Sequence, residues 1–392
     1  MFNRRLFLKS SALIGCSAAA HPLLSSIAFA TAPSENRLVV IILRGAMDGL
    51  DVFQPYGDPE LHKLRKTISL GPDQGAYDLD GFFALHPTLS PLMPLWNAGE
   101  LGFVPAVSTP YRNKRSHFDG QDMLEAGTGT DMDLASQSDG WLNRLLHNMP
   151  GAQSETAYSV GTEQMRILAG TAPARSWSPK IDLQLSPQAQ MLLLHAYHDD
   201  PLFREGSEEA LEIANQGLDK IREERGPTRD ARALASFAAS RLNGETRIAT
   251  FSLTGWDSHA RQSTILKPSL LGLADAILTL REGLGRNWSK TTILAMTEFG
   301  RTVRENGSGG TDHGTGGAML VAGGAVRGKR AMGNWPGLGE KNLYAGRDLT
   351  PVADIRAYAA WALRDLFGTS RNVLETAVFP GLDMGANPRI LA

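Results

Sequence analysis

The chain has almost no cysteine and no excess of charge of either sign. Its 392 residues include one cysteine, Cys16, and 39 basic against 41 acidic side chains, for a net charge of −2. A mature protein without Cys16 has no thiol chemistry and no disulfides. The missing basic excess argues against a nucleic-acid binder. No apolar run long enough to span a bilayer follows residue 30, so we expect no stable membrane span after a signal segment is removed.

The N-terminus carries the most specific signal in the sequence. The pair Arg4-Arg5 precedes Phe7-Leu8-Lys9, a weakly apolar stretch follows, and Ala28-Phe29-Ala30 forms a small-x-small cleavage site. This pattern resembles a twin-arginine export signal over residues 1–30. It predicts the twin-arginine export machinery as a partner and a periplasmic or secreted mature protein. A rival cleavage before Cys16 would make a lipoprotein, so lipidation stays open.

Five short apolar runs have the length and content of buried strands. They are Leu38–Leu43, Leu101–Val107, Arg247–Leu253, Ile293–Met296 and Ala318–Ala322. Helical spacing over His86–Ala98 and Pro268–Leu284 suits crossover connections between them. We therefore predict a single α/β domain over residues 31–392, with a mostly parallel central sheet flanked by helices.

The regions between these runs give weaker patterns. Residues 55–82 are rich in Gly, Pro and Asp and are predicted as irregular surface. Residues 131–245 are predicted as a helical and irregular insertion, with amphipathic helices over Ser207–Arg225 and Asp230–Leu242. A last helix is predicted over Asp348–Phe367.

Polar side chains follow the predicted strands, where parallel sheets bind ligands. They are Asp48, Ser116, His117, Asp257, His259, Glu298, Asp312 and His313. Carboxylates gathered at one sheet edge repel one another unless cations neutralise them, so we expect a divalent metal ion. Oxygen and nitrogen ligands without thiolates fit zinc, manganese, magnesium or calcium, and the sequence does not choose among these.

Some of these residues also have a purely structural interpretation. Asp48 precedes a glycine, and Asp-Gly is a common turn pair. Asp312 can bond its own turn in a surface loop. Ser116, with Asp119 three residues later, is close to a capping box. Ser116 is therefore either a helix N-cap or a nucleophile activated in the positive field of the same helix N-terminus.

Five motifs, in order along the chain, resemble those of a bacterial exported family known as domain of unknown function 1501. They are Arg44-Gly45-x-x-Asp48-Gly49-Leu50, Arg115-Ser116-His117-Phe118-Asp119, Gly255-Trp256-Asp257-Ser258-His259, Thr297-Glu298-Phe299-Gly300-Arg301 and Gly310-Thr311-Asp312-His313-Gly314. The likeness covers about residues 37 to 380. That family is in turn distantly similar to the alkaline phosphatase and sulfatase superfamily, whose members turn over phosphate or sulfate esters with two metals and a Ser or Thr nucleophile.

The resemblance implies a role for several strand-end residues. Asp48 matches the first-strand metal ligand, and Ser116 matches the nucleophile. Asp257 matches the later-strand aspartate, Glu298 the acid of the next strand, and His313 the final histidine.

The chain also departs from the superfamily pattern. His259 follows Asp257 by two residues instead of four. Phe299 stands where a metal-binding histidine is expected, and Gly45 lies close to the expected position of the first Asp. One of the two metal sites is then either incomplete or completed by His117.

The predicted function is an exported metal-dependent hydrolase of phosphate or sulfate esters, in which Ser116 attacks and metals stabilise the developing charge. Ser116 and His117 are the predicted catalytic residues. The predicted metal ligands are Asp48, Asp257, His259, Glu298, Asp312 and His313. The alternative, which Phe299 favours, is a non-catalytic exported protein that keeps the fold, with or without one metal, and binds a carbohydrate or a partner protein. A third hypothesis is an exported assembly factor.

Overall fold

The computed structural model describes residues 34–130, 138–163, 165–178 and 227–392. The twin-arginine segment, Cys16 and the predicted helix over Ser207–Arg225 lie outside these residues.

The described chain contains eleven strands. They are β1 (Arg37–Leu43), β2 (Phe53–Gln54), β3 (Tyr77–Asp78), β4 (Ala84–Leu85), β5 (Leu101–Ser108), β6 (Ala157–Val160), β7 (Arg175–Trp177), β8 (Ile248–Leu253), β9 (Thr291–Met296), β10 (Gly317–Ala322) and β11 (Ala353–Asp354). Eight of them form a central sheet in the order β11-β5-β10-β9-β1-β8-β6-β7. Only β10 runs antiparallel to its neighbours in this sheet. The prediction of a mostly parallel α/β fold is confirmed.

Nine α-helices lie in the same described ranges. They are α1 (Gly49–Val52), α2 (Leu61–Leu64), α3 (Met93–Ala98), α4 (His117–Ala126), α5 (Trp141–His147), α6 (Pro227–Leu242), α7 (Gln262–Leu284), α8 (Ile355–Phe367) and α9 (Arg371–Val373). Short 3-10 turns cover Pro72–Gln74, Pro87–Leu92, Ser154–Thr156, Arg166–Leu168, Gly285–Lys290 and Glu340–Asn342, and one π turn covers Leu374–Val378.

The central sheet is buried on both faces, which explains the unbroken apolar runs of its strands. Side chains of β1 alternate between the faces. Val39, Ile41 and Leu43 join one hydrophobic cluster with α6 and α7. Leu38 and Ile42 join a second cluster with α5 and α8. The central sheet is therefore the middle layer of three.

Helix α7 is the longest helix of the described chain. The sequence predicts a helix over Pro268–Leu284, but α7 begins earlier, at Gln262, and carries Pro268 inside it. The segment Gln262–Lys290 is long and apolar enough to cross a membrane, by length and composition alone. Its apolar side chains pack in the core against α6 instead.

Three regions differ from their predictions. Strands β6 and β7 fall inside the segment predicted as an insertion, yet they extend the central sheet. Strands of four and three residues are too short to produce a recognisable alternation. The stretch predicted as irregular surface contains β3 and a fully buried arginine, Arg65. Helix α8 begins at Ile355, later than predicted, because β11 and the N-cap Asp354 precede it.

The loops that carry the predicted site residues meet at one edge of the central sheet. Strands β1, β5, β8 and β9 end at this edge, and the antiparallel β10 starts there. Parallel sheets bind ligands at this carboxyl edge. The loops that meet here are 44–48, 109–116, 254–261, 297–302 and 311–316.

Candidate metal centre

Two loop side chains and the first residue of α4 form a cluster, here called the His-Asp-His cluster: Asp257, His313 and His117. One donor atom of each lies within 4.8 Å of the other two. His117 Nε2 is 3.5 Å from Asp257 Oδ2, and His313 Nε2 is 3.4 Å from Asp257 Oδ1. Ligands of a tetrahedral zinc ion with bonds of about 2.0 Å lie roughly 3.3 Å apart. The spacing therefore suits a single divalent ion.

His259 borders this cluster on its solvent side. Its Nε2 lies 3.1 Å from Asp257 Oδ1 and 3.0 Å from His313 Nε2. The side chains of His259 and Asp257 are 45% and 46% exposed. The cluster is therefore open to solvent, and His259 is placed either to add a fourth donor or to contact a molecule bound at the open side.

The imidazole rings are oriented from behind by acceptors at Nδ1. His117 Nδ1 is 2.8 Å from Glu298 Oε1, His259 Nδ1 is 3.3 Å from Asp312 Oδ1, and His313 Nδ1 donates to a backbone carbonyl at 2.9 Å. An acceptor at Nδ1 keeps the proton on that nitrogen and leaves the Nε2 lone pair free for a metal. Glu298 and Asp312 thus support the imidazoles from outside the cluster.

The carbonyl that orients His313 belongs to Arg115, a residue with a backbone φ of 56°. Non-glycine residues in this left-handed region are uncommon and concentrate at functional sites. The strained loop also delivers Ser116 and His117, so one segment supplies both a cluster member and the orientation of another.

His117 Nε2 is the atom of the cluster that most needs a partner. It is buried and makes no hydrogen bond to any residue of the described chain. Leaving a buried polar atom unsatisfied costs about 1–3 kcal/mol. A divalent ion bound among these three residues would give His117 Nε2 a partner, so the residues present fit the predicted metal.

The electrostatics of the cluster favour ionised carboxylates. Burial raises the pKa of Asp257, but the hydrogen bond and charge of Arg301 bring that pKa below its ordinary value. Burial likewise opposes ionisation of Glu298, and hydrogen bonds led by that from His117 lower its pKa. Burial lowers the pKa of His313, which favours the neutral imidazole that binds metals. The hydrogen bond to Glu298 raises the pKa of His117, so a proton competes with the metal there.

Asp48, a predicted metal ligand, is not brought to the cluster. Arg65 binds it through two hydrogen bonds of 2.7 and 3.0 Å, and Gln262 Nε2 donates to it at 2.7 Å. The Asp48 and Arg65 side chains are 1% and 0% exposed. A guanidinium already neutralises this carboxylate, so it needs no divalent ion.

Glu298 is likewise satisfied by the protein itself. It accepts hydrogen bonds from the backbone of Gly45 and Ala46 at 2.9 and 3.0 Å and from Gln121 at 3.2 Å. Gly45 has a φ of 116°, and a Cβ there would lie 2.6 Å from Asp257 N. A glycine is therefore needed at position 45 for the first loop to pass this close to the cluster.

Ser116 is the N-cap of α4. Its Oγ accepts a 3.4 Å hydrogen bond from Asp119 N, and its own backbone N donates to Tyr111 Oη at 2.8 Å. No hydrogen bond within the described residues joins its hydroxyl to a member of the cluster. The hydroxyl nevertheless lies one residue from His117, at the N-terminus of a ten-residue helix.

Phe299, which stands where a histidine was expected, is buried behind the cluster. Its ring stacks on His117 with centroids 5.2 Å apart and on Tyr111 with centroids 5.9 Å apart. Phe299 thus packs the His117 ring in place and adds no donor to the cluster.

Sequence reasoning missed three buried partners of the predicted residues: Arg65, Gln262 and Arg301. Arg301 donates to the carbonyls of Gly45 and Ala46 and to Asp257. Its place in the same motif as Glu298 was a usable signal. Arg65 lies in a stretch with no periodic pattern, so nothing in the sequence marked it.

Solved structures with a similar architecture share little sequence with the chain. Lipooligosaccharide phosphoethanolamine transferase A of Neisseria meningitidis is 13% identical, with a TM-score of 0.38. The match covers 74% of this chain and 49% of the transferase. A Vibrio parahaemolyticus protein in the alkaline phosphatase superfamily is 12% identical, with a TM-score of 0.41 and coverage of 90% and 72%. The C-terminal periplasmic domain of Escherichia coli EptC is 9% identical, with a TM-score of 0.42 and coverage of 90% and 88%.

These likenesses are distant and say nothing about the substrate or activity of this chain, which spans about half the length of the Neisseria transferase. None of the curated proteins is similar enough in sequence to count as a relative. A family model, by contrast, matches residues 35–373 of the 392-residue chain. The chain belongs to the family described as protein of unknown function (DUF1501).

Proposed function

We propose that the protein is an exported, metal-dependent hydrolase of phosphate or sulfate esters. The observation that carries this proposal is the solvent-open His-Asp-His cluster, whose two imidazoles are held at Nδ1 by acceptors and turn Nε2 inward. A structural metal site is normally closed by four protein ligands, whereas a catalytic site keeps an open position. The cluster itself supplies three donors at an exposed sheet edge, which matches the second type when His259 contacts the bound molecule and not the ion.

His117, Asp257 and His313 would hold the ion. Two imidazoles and one carboxylate suit zinc, although manganese remains compatible with the same donors. A bound divalent ion supplies Lewis-acid stabilisation of the charge that develops on ester oxygens. The Nε2 atom of His117, which has no hydrogen-bond partner among the described residues, supports this assignment.

Ser116 is the proposed nucleophile. Its oxygen would bond to the phosphorus or sulfur while the ester oxygen leaves with the bonding electrons and takes a proton from water. The serine proton passes to solvent, and a second water hydrolyses the seryl ester to release phosphate or sulfate. The position of the hydroxyl at the N-terminus of α4 supports this role, because that end stabilises negative charge.

A non-catalytic binding protein is the second candidate, and one observation favours it. Arg65 neutralises Asp48, so the carboxylate that would serve a second metal is already occupied by a side chain. A single ion with His259 beside it would be enough to bind an anionic or carbohydrate ligand without turnover.

Export is proposed from the twin-arginine segment alone. The pair Arg4-Arg5, the run Phe7-Leu8-Lys9 and the cleavage site Ala28-Phe29-Ala30 support a periplasmic or secreted location. Folding before export would also allow a metal to be loaded in the cytoplasm.

The test is a screen of metal-loaded protein against aryl phosphate monoesters, diesters and sulfates. Ser116→Ala removes both the hydroxyl and the cap and should cost about 1 kcal/mol of stability, whereas Ser116→Gly removes the hydroxyl at a cost of only a few tenths. If Ser116 is the nucleophile, both variants lose turnover while the second keeps nearly full stability. Turnover that survives in both variants would assign Ser116 to capping alone, and a wild type inactive on every ester would favour the binding protein.

A further inference from the structure

A buried glutamine links the two loops that carry most of the His-Asp-His cluster. Gln262, the first residue of α7, is fully buried. Its Oε1 accepts hydrogen bonds from Ser258 Oγ and Thr311 Oγ1, both at 2.8 Å. Its Nε2 donates to Asp48 Oδ2 at 2.7 Å and to Asp51 Oδ2 at 2.9 Å.

The chemistry of these four partners fixes the orientation of the amide. Asp48 Oδ2 accepts from both the NH₂ group and Arg65 Nη1, and two hydroxyls can donate to the amide oxygen, so a flipped amide would turn its oxygen toward the Asp48 carboxylate. All four hydrogen-bonding positions of the side chain are filled. A fully satisfied buried polar network is rigid, and removing its centre leaves several groups unpaired at once.

The partners of Gln262 lie directly beside the cluster. Ser258 is flanked in the chain by Asp257 and His259, and Thr311 stands two residues before His313. Thr311 N also donates to the Ser258 carbonyl at 3.0 Å, which pairs the two loops. The other side of Gln262 is anchored by Asp48.

That anchor is itself tied to the fold, because Asp48 is held by Arg65 with two hydrogen bonds and Arg65 also donates to the carbonyls of Thr302 and Val303. Gln262 therefore connects the buried Asp48–Arg65 ion pair to both ligand-bearing loops without touching the cluster itself.

From this geometry we infer that Gln262 is a positioning residue of the metal centre, which sets the separation of Asp257 and His313. The inference rests on the proposed metal site. Outer partners of metal ligands typically change metal affinity by about 10–100-fold when they are removed. Gln262 bonds to neighbours of the proposed ligands and not to the ligands themselves, but it holds two ligand-bearing loops at once.

The experiment compares zinc affinity and the visible spectrum of the cobalt-substituted protein for wild type, Gln262→Ala and Gln262→Met. We expect the zinc Kd to rise by roughly 10-fold or more in both variants. We also expect a changed cobalt spectrum, because the ligands no longer hold the same geometry. Ser258→Ala and Thr311→Val remove one arm each and should give smaller shifts, and they keep the test valid if Gln262 variants fold poorly.

Asn143→Ala is the matched control. Asn143 is 2% exposed, and its amide makes three hydrogen bonds to the backbone of Leu168 and Ala172, on the other face of the sheet. This variant should lose stability while keeping the wild-type Kd and cobalt spectrum.

The outcomes separate the two proposals. Wild-type Kd and spectrum in all Gln262, Ser258 and Thr311 variants would overturn the positioning role while leaving the metal centre intact. A wild-type protein that binds neither zinc nor cobalt would overturn the metal centre and, with it, this inference.

Discussion

The pairing of Arg65 with Asp48 gives a sharp test of which carboxylates need a metal. In Arg65→Met the apolar side chain keeps much of the volume but removes both hydrogen bonds to Asp48. The carboxylate is then left fully buried and without its counter-charge, and the carbonyls of Thr302 and Val303 lose their donors.

The size of the effect follows from burial. Removing one partner of a buried ion pair costs about 3–5 kcal/mol, because the remaining charge is uncompensated. Such a loss is a large part of the roughly 5–15 kcal/mol that stabilises an ordinary domain. The double variant Asp48→Asn/Arg65→Met removes the charge as well, and we expect it to be more stable than the single variant.

The assay is equilibrium urea unfolding followed by tryptophan fluorescence, with the slope checked for constancy among variants. Each protein is measured in chelator and with added zinc or magnesium. Because the structure keeps Asp48 away from the His-Asp-His cluster, added zinc or magnesium should not restore the stability that Arg65→Met loses. A loss below about 1 kcal/mol, or one that added divalent ions restore, would refute the structural role of this pair and return Asp48 to the metal ligands.

Three further predictions concern other parts of the chain. Burial and the neighbouring charge of Asp48 raise the pKa of Asp51 from 3.8 to about 7. Between these pH values the folded protein holds a proton that the unfolded chain has lost, so the free energy of unfolding should fall as pH rises from about 4 to 7. Urea titrations should show a flatter pH dependence in Asp51→Asn. Gly45→Ala places a Cβ against the Asp257 backbone, so zinc affinity and thermal stability should both fall, whereas Gly81→Ala, at an open position, changes stability but not affinity. Replacing Arg4 and Arg5 with Lys should leave precursor in the cytoplasm, and normal export of that variant would remove the twin-arginine argument.

The long strands could be predicted because both faces of the central sheet are buried. Leu38–Leu43 and Ile293–Met296 are continuous apolar runs, and the structure has strands β1 and β9 there. Strands β6 and β7 could not be predicted, because strands of only four and three residues leave no pattern in the sequence.

The sequence could predict which loops meet at one edge, but not how the side chains on those loops pair. The sequence places the acids and imidazoles at strand ends, and the loops do meet at one edge. Which carboxylate faces an imidazole and which faces an arginine depends on contacts between distant segments, such as Arg65 with Asp48. Charge crowding alone therefore suggested more metal ligands than the fold brings together.

The most direct test of the metal centre is the metal content of the purified mature protein, measured by elemental analysis with zinc titration of the chelated form. We expect one divalent ion per chain, which is lost in His313→Ala and in Asp257→Ala and retained in Asp48→Asn. A metal-free protein whose thermal stability ignores both chelator and added cations would contradict it, as would a metal content unchanged in His313→Ala and Asp257→Ala.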